Sequence, residues 1–409
     1  MKLRAAGSLP VLMTVVLLGV AVPAVVNPMS ILWTAPLMLV AAMMIAWGAE
    51  AAQFFMAQGF ALAILAWLQT MPEFAVEAVL AWQRRTDLLI SNLAGALQLL
   101  TGLGWPMIYA AAAHKHRQRE HRPLRSIGLG PEHGVQIVAL LVCLLYGFLV
   151  WAKGSLHVID SIFLIALYGA YLYVLGKLPA KGHEEVDELP ALLRTVVRAP
   201  KPWRIAGITA LFAGGGGLIY ILAEPFLESV LSLALRFGFS SFVAIKWIAP
   251  FVSEFPEKVS ALKWARTADG ASMALMNMVS SNINQWTLLA AMLPLVLSLS
   301  LRHATGLVFD QQQSLELLLT LGQALLGALF LMAMELVWWE AAALFTLWLV
   351  QFAASIAPAA MATAVHWVVA SIYLAWCAVE VVRIAIGQRQ PRAFACFAET
   401  WRKARVAGK

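Results

Sequence analysis

Along most of the chain, apolar residues come in unbroken runs separated by short polar breaks, and they do not alternate with polar residues. A helical run of ~20 residues, rising ~1.5 Å per residue, crosses a hydrocarbon core of ~30 Å. Stretches such as LPVLMTVVLLGVAVPAVV (9–26) lack the period of two that a transmembrane barrel strand needs, so the pattern predicts helices. Twelve are expected, near 8–26, 29–50, 55–82, 86–111, 134–152, 157–176, 205–233, 238–264, 269–300, 314–334, 336–356 and 361–387. Such boundaries hold to roughly ±2–4 residues.

Composition agrees. Of 409 residues, 61% are apolar and 12% charged, against ~45–50% and ~25% in soluble chains. The expected class is an all-α polytopic membrane protein. The net charge of +7 does not imply a nucleic-acid partner, because the basic residues lie in loops and no nucleic-acid motif accompanies them. Membrane lipids and inorganic cations are the expected partners. Cys143 and Cys377 lie in apolar runs and Cys396 in the basic tail, with neither a disulfide framework nor metal-ligand spacing. No cofactor is expected.

The basic residues report topology instead. Lys2, Arg4, the segment from Lys115 to Arg125, the segment from Lys177 to Arg204, and the tail from Arg389 to Lys409 fall on one side. Arg84, Arg85, Lys153, Arg236 and Arg302 fall on the other. The excess marks the cytoplasmic side and places both termini there, in the inner (cell) membrane. The first run could serve as a signal peptide, but its length and flanking prolines favour a retained helix. The loop 178–204 carries Pro179, Pro190, Pro200 and Pro202 and the acidic residues Glu184, Glu185, Asp187 and Glu188, and reads as a linker. Its LPALLRTVVR stretch is either a surface helix or a plain connecting helix.

Two segments echo one another. QTMPEFAVE (69–77) and SEFPEKVSA (253–261) place Pro-Glu deep in an apolar helix, 184 residues apart, and the following helices carry Asn92 and Asn277, 185 apart. The Pro-Glu helices are the third and the eighth, an odd five places apart, so the repeats enter the bilayer from opposite sides. This is the inverted-repeat plan of secondary transporters, with a site at the midplane between the halves. The chain then divides into an N-terminal extra helix (1–28), a first repeat (29–177), the cytoplasmic linker (178–204), a second repeat (205–357), and a C-terminal extra helix with basic tail (358–409).

Carboxylates inside a bilayer are costly, by ~2.5–3.5 kcal/mol on insertion scales, and mark ion or substrate pathways. Proline adds broken backbone, freeing the carbonyls of Leu68 and Val252, which is tolerated where it lines a cavity. Carboxylate and carbonyl oxygens are hard ligands suited to Na⁺ or Ca²⁺. Gln69 and Ser253 lie one turn before Glu73 and Glu257. Asn277, Ser281 and Gln285 recur every four residues as one polar stripe with Asn284 at its edge, whereas the first-repeat stripe reads Asn92, Ala96, Leu100. Lys246 either pairs with a carboxylate or snorkels to an interface. Glu50, Glu224, Glu335, Glu340 and Glu380 are expected at interfaces. His114, His116 and His121 sit among cations and read as solvated loop, not as a metal site.

These residues resemble the sodium/calcium exchanger superfamily, in which each inverted five-helix repeat has a Thr-Ser-x-Pro-Glu helix and a Gly-Asn-x-x-Gly-Ser-Asn-x-x-Asn helix. The resemblance covers roughly residues 30–357, with the Pro-Glu core intact twice. It implies ion-binding glutamates at Glu73 and Glu257, and neutral ligands at Gln69, Thr70, Ser253, Asn92, Asn277, Ser281 and Gln285. Glu254 stands where the family has a hydroxyl, Glu77 adds a carboxylate, and Ala96 and Leu100 replace the family's Ser and Asn. Fewer neutral ligands with extra carboxylates suit proton coupling, so Na⁺/Ca²⁺, Ca²⁺/H⁺ and Na⁺/H⁺ exchange by alternating access all stay open, with these ions as substrates. The alternative is a non-transporting scaffold or sensor that keeps the fold. An intramembrane enzyme lacks sequence support, since no HExxH, no GxSxG and no histidine with a nucleophile partner is visible in the helices.

Overall fold

The computed structural model describes residues 27–55, 67–68, 70–177, 191–267 and 270–407. The expected first helix, most of the opening turns of the first Pro-Glu helix, Gln69 and the acidic cluster of the linker lie outside the described residues. The first repeat contains α1 (Ile31–Gln53), α2 (Met71–Trp82), α3 (Thr86–Glu120), α4 (Gly134–Lys153) and α5 (Val158–Leu175). A short helix α6 (Ala191–Arg198) leads to the second repeat, α7 (Lys201–Arg236), α8 (Ser241–Ser253) with α9 (Phe255–Ala265), α10 (Gly270–Leu301), α11 (Gln311–Leu331) and α12 (Trp338–Ser355). Outside the repeats follow α13 (Ala359–Ala385) and α14 (Arg392–Ala407). Among the described residues, eight helices are long and apolar enough to cross a bilayer.

Local sequence explains several boundaries. Asp310 accepts from the Gln313 backbone N–H at 2.7 Å and the Gln313 side chain accepts from the Asp310 N–H at 3.1 Å, a capping box that opens α11. Pro256 interrupts the second Pro-Glu helix, so α8 stops at Ser253 and α9 restarts at Phe255. The segment 112–120, expected as loop, continues α3 as helix to Glu120. Its alanines favour helix, and the basic residues Arg117 and Arg119 lie at the negative end of the helix dipole.

The inversion of the repeats is visible in four short strands. β1 (Ser126–Gly128) follows the third helix of repeat one and pairs antiparallel with β4 (Glu335–Val337), which follows the fourth helix of repeat two. β2 (Ser155–His157) and β3 (Gly306–Val308) pair in the reciprocal way, Ser155 facing Val308 and His157 facing Gly306. Only if one repeat is upside down relative to the other do a third–fourth and a fourth–fifth connection share a membrane face. The helix irregularities repeat too. Leu100–Gly104 in α3 and Gln285–Leu289 in α10 are π-turns whose first residues keep the spacing of Asn92 and Asn277.

α3 and α11 form the centre, with 94% and 89% of their apolar windows buried, against 28% for α7 and α13, which face lipid. The first helices of the two repeats cross closely. A Cβ on Gly215 of α7 would lie 2.8 Å from the Ala41 carbonyl of α1, and Thr34 and Ser229 hydroxyls meet there at 2.9 Å. Small residues are how membrane helices approach this near. Gly95 of α3 is tighter still, since an added Cβ would come 1.8 Å from the carbonyl oxygen of Lys246.

Three acidic residues expected at interfaces are buried instead, Glu50 at 6% exposure among them. Glu340 and Glu380 are 1% and 0% exposed, because Arg389 bridges them at 2.6 and 2.9 Å while also donating to the Phe330 carbonyl. This clamp fixes α13 to the ends of α11 and α12. Glu224 behaves as expected near a surface, accepting from Gln83 at 2.9 Å.

Candidate functional site

The two Pro-Glu motifs face each other across the repeat interface. Glu73, at the start of α2, is 1% exposed and lies beside Ser253 and within electrostatic reach of Glu254 and Glu257 on the opposing segment. Neither oxygen of Glu73 accepts a hydrogen bond among the described residues. Ser253 is adjacent, but its hydroxyl is turned to the Pro250 carbonyl at 3.2 Å.

Glu257 is better held. One oxygen accepts from Ser281 at 2.5 Å and from Asn277 at 3.4 Å, while the other has no partner among the described residues. Because Asn277 and Ser281 are four residues apart, one face of α10 presents both donors to one carboxylate. Gln285, one turn on, donates to Glu254 at 3.1 Å. Glu254 also forms a buried ion pair with Lys258, four residues along its own chain. One of these three acids therefore differs in status from the other two. Glu254 is neutralised by a fixed cation, whereas Glu73 and Glu257 have none so placed.

Thr70 donates to the Trp67 carbonyl at 2.8 Å and accepts from Asn284 of the other repeat, so the edge residue of the α10 stripe ties the two halves together. Asn92 donates to Glu77 at 3.0 Å rather than to Glu73. The first repeat thus engages its asparagine one turn later than the second does. Ala96 and Leu100 are both fully buried and cannot coordinate. Gln69 lies outside the described residues.

On the site residues, buried oxygens without a hydrogen bond among the described residues include both of Glu73, Oε2 of Glu77 and of Glu257, Oδ1 of Asn92 and of Asn284, and Oε1 of Gln285. Unpaired buried acceptors are costly, and a set rich in oxygen and free of sulfur and imidazole suits a hard cation. No group of three or more His, Cys, Asp or Glu at metal-holding distances occurs among the described residues. A cation here would therefore rest on two carboxylates completed by neutral oxygens. We expect Gln285→Leu and Ser281→Ala each to weaken cation affinity by ~10–100-fold, the usual effect of losing a group that orients or completes a metal site. Leu100→Ala should act through packing alone. Unchanged affinity and rate in the Gln285→Leu, Ser281→Ala double variant would reduce the α10 stripe to a helix-packing seam.

Sequence reading missed several partners. Lys258 was readable in principle, since acid and base four apart share a helix face. Lys246 pairs with Glu316 of α11 at 2.5 Å, both within 2% exposure, and Glu316 Oε1 also meets His366 Nδ1 of α13 at 3.2 Å. An ionisable residue inside a membrane helix is the available signal for both. A histidine beside a hydroxyl does occur within the helices, Ser355 Oγ lying 3.4 Å from His366 Nε2. Ser355 donates to its own Gln351 carbonyl at 2.9 Å and Glu316 is already held by Lys246, so the hydroxyl is not set up as a nucleophile.

Residues 25–177 and 207–357 match the family described as sodium/calcium exchanger protein. No curated protein matches the chain. Among solved structures, the H⁺/Ca²⁺ exchanger CAX is similar with a TM-score of 0.85 and 26% identity, covering 100% of this chain and 100% of that one. The sodium-calcium exchanger NCX_Mj gives a TM-score of 0.52 at 20% identity, covering 83% and 99%, and YfkE gives 0.57 at 16%, covering 84% and 99%. The latter two show likeness of fold alone.

Proposed function

Because the chain belongs to the sodium/calcium exchanger protein family, a family of multi-pass membrane antiporters, we propose that it exchanges a divalent cation of the Ca²⁺ class for protons at Glu73 and Glu257. The observation that carries this is the charge balance of the site. Lys258 pairs with Glu254 and Asn92 donates to Glu77 one turn along α2, which leaves Glu73 and Glu257 as the facing carboxylates with no ion-pair partner of their own among the described residues. A buried carboxylate does not persist bare. Two of them are neutralised by one divalent cation or by two protons, and the two loads are electrically equivalent. Dedicated Na⁺ sites need neutral oxygens that the first repeat lacks at Ala96 and Leu100. The similar structure of the H⁺/Ca²⁺ exchanger CAX supports the same pairing.

In this reading the site opens alternately to the two faces through motion of the inverted halves around Glu73 and Glu257. Purified protein in liposomes with an internal pH dye tests it. An imposed Ca²⁺ gradient should drive protons the opposite way without Na⁺ or K⁺ on either side. Ca²⁺ movement that requires Na⁺ and leaves internal pH unchanged would overturn the proton partner. The proposed orientation puts the membrane ends at His121 and both termini in the cytoplasm of a cell whose inner membrane holds the protein, from the Lys/Arg excess. Labelling of a cysteine at position 121 by an impermeant reagent added outside intact cells would contradict it.

A further inference from the structure

Away from the cation pocket, three ionisable side chains meet in the membrane interior from three different helices. Lys246 lies within the π-turn Ala244–Ile248 of α8, Glu316 one turn and a half into α11, and His366 two turns into α13, the helix outside both repeats. Their exposures are 0%, 1% and 3%. All three stand a short way in from the same face, the one at which α8, α11 and α13 begin; in the orientation proposed above this is the outer face.

The partners of the imidazole define its chemistry. Nδ1 faces Glu316 Oε1 at 3.2 Å, and the other oxygen of Glu316 is paired with the Lys246 ammonium at 2.5 Å. Nε2 faces the Gln351 carbonyl oxygen at 3.1 Å, which only accepts. Both ring nitrogens thus point at acceptors, and the form with both satisfied as donors is the imidazolium. A neutral ring would need a donor at Nε2, and one stands ready. Ser355 Oγ, 3.4 Å from Nε2, now donates to Gln351 O and could rotate its hydrogen onto the ring. The site is built for two protonation states that differ by a hydroxyl rotation.

Among the described residues no other charge intervenes. On α11 the sole charged residue is Glu316, on α12 the only one is Glu340 at the far end, held by Arg389, and α13 carries Glu380 and Arg383 at its far end. Lys246 of α8 lies behind Glu316. The remaining neighbours form an uncharged chain. Thr320 donates to the Glu316 carbonyl at 2.7 Å, Gln98 of α3 to Thr320 at 2.7 Å, Gln323 to the Gln98 carbonyl at 3.0 Å and Gln351 to Gln323 at 2.8 Å.

We propose that His366, with Glu316 and Lys246, is a proton-binding site separate from the cation pocket, through which acidity at the face where α8, α11 and α13 begin slows cation exchange. Proton binding adds one positive charge to a cluster of Lys⁺ and Glu⁻, near one of the two faces to which the site opens in turn, where the low dielectric keeps the repulsion of a passing cation strong. It also makes Glu316 share its charge between two cations, loosening or tightening the hold on α8. That helix leads directly to Ser253, Glu254 and Glu257, and its Lys246 carbonyl is packed on Gly95, one turn from Asn92.

The test uses full-length protein with ¹⁵N-labelled histidine rings, followed from about pH 5 to 8, where imidazoles titrate. The resonance absent from His366→Gln should convert from a ring protonated on both nitrogens to one protonated on a single nitrogen. Ser355→Ala, which keeps the ring, should perturb the same resonance and identifies it even if His366→Gln does not fold. A ring that keeps one state throughout the range overturns the proposal. In liposomes with internal pH held constant, isotopic Ca²⁺-for-Ca²⁺ exchange should slow several-fold as the face where α8 begins is acidified, and His366→Gln should lose that part of the dependence. An identical profile in the variant also overturns it. The nitrogen measurement needs no transport, so failure of the antiport reading and failure of this site are separately visible.

Discussion

Replacing Glu257 with glutamine is expected to abolish exchange, and replacing Glu73 likewise, but for different local reasons. Glu257 is the carboxylate that α10 organises, with Ser281 and Asn277 both donating to one of its oxygens. An amide there keeps the size and loses the charge; its oxygen can still accept from Ser281 and Asn277, while its NH₂ replaces the oxygen left open to a cation. Loss of groups that merely orient a metal ligand costs ~10–100-fold in affinity, so loss of the ligand itself should exceed ~100-fold. Glu73 makes no such bonds, so Glu73→Gln should leave the surrounding helices undisturbed and act by removing one of the two charges that match a divalent ion. Calcium binding by calorimetry and flux in liposomes would measure both. A Glu73→Gln protein that still exchanges at the parental rate would remove Glu73 from the site and with it the reasoning from charge balance.

The second large effect concerns Lys258. Its ammonium is 4% exposed and its partner Glu254 0% exposed, so screening by water is slight. Lys258→Met should destabilise the protein by ~3–5 kcal/mol, the usual penalty of stranding a buried charge, out of a total stability of ~5–15 kcal/mol. Glu254→Gln added to it should restore most of that loss, because Gln285 can still hydrogen-bond an amide at position 254 and no charge is left alone. The double variant retains Glu73 and Glu257 and should therefore retain exchange. Thermal unfolding in detergent gives the first comparison and liposome flux the second. Equal stability of Lys258→Met and the parent would mean that Lys258 does not neutralise Glu254, and the site would then carry more charge than one divalent ion balances.

What the sequence by itself determined is what depends on short stretches of chain. Apolar runs of bilayer length specify membrane helices because unsatisfied backbone groups cannot be left in lipid, and most expected spans coincide with observed ones. The twofold Pro-Glu, each followed by an asparagine at near-constant spacing, announced the repeats, and the Lys/Arg bias suggested an orientation. The asymmetry between the stripes, Ala96 and Leu100 against Ser281 and Gln285, was legible for the same reason, since residues four apart share a helix face.

Only the tertiary structure decided which partner each buried charge takes. Lys246 and Glu316 lie 70 residues apart, and Arg389 and Glu340 49 apart, and nothing local marks them as pairs. Their meeting follows from how α8, α11, α12 and α13 pack, and that packing follows from contacts such as Gly95 against the Lys246 carbonyl. Asn284 illustrates the same limit at the site. At the edge of its helical stripe it looks peripheral, yet the crossing of the repeats brings it to Thr70. Burial makes every such pairing consequential, because a charge or hydrogen-bonding group removed from water must find its partner within the protein, and the partner's position is a property of the assembled helices rather than of any one of them.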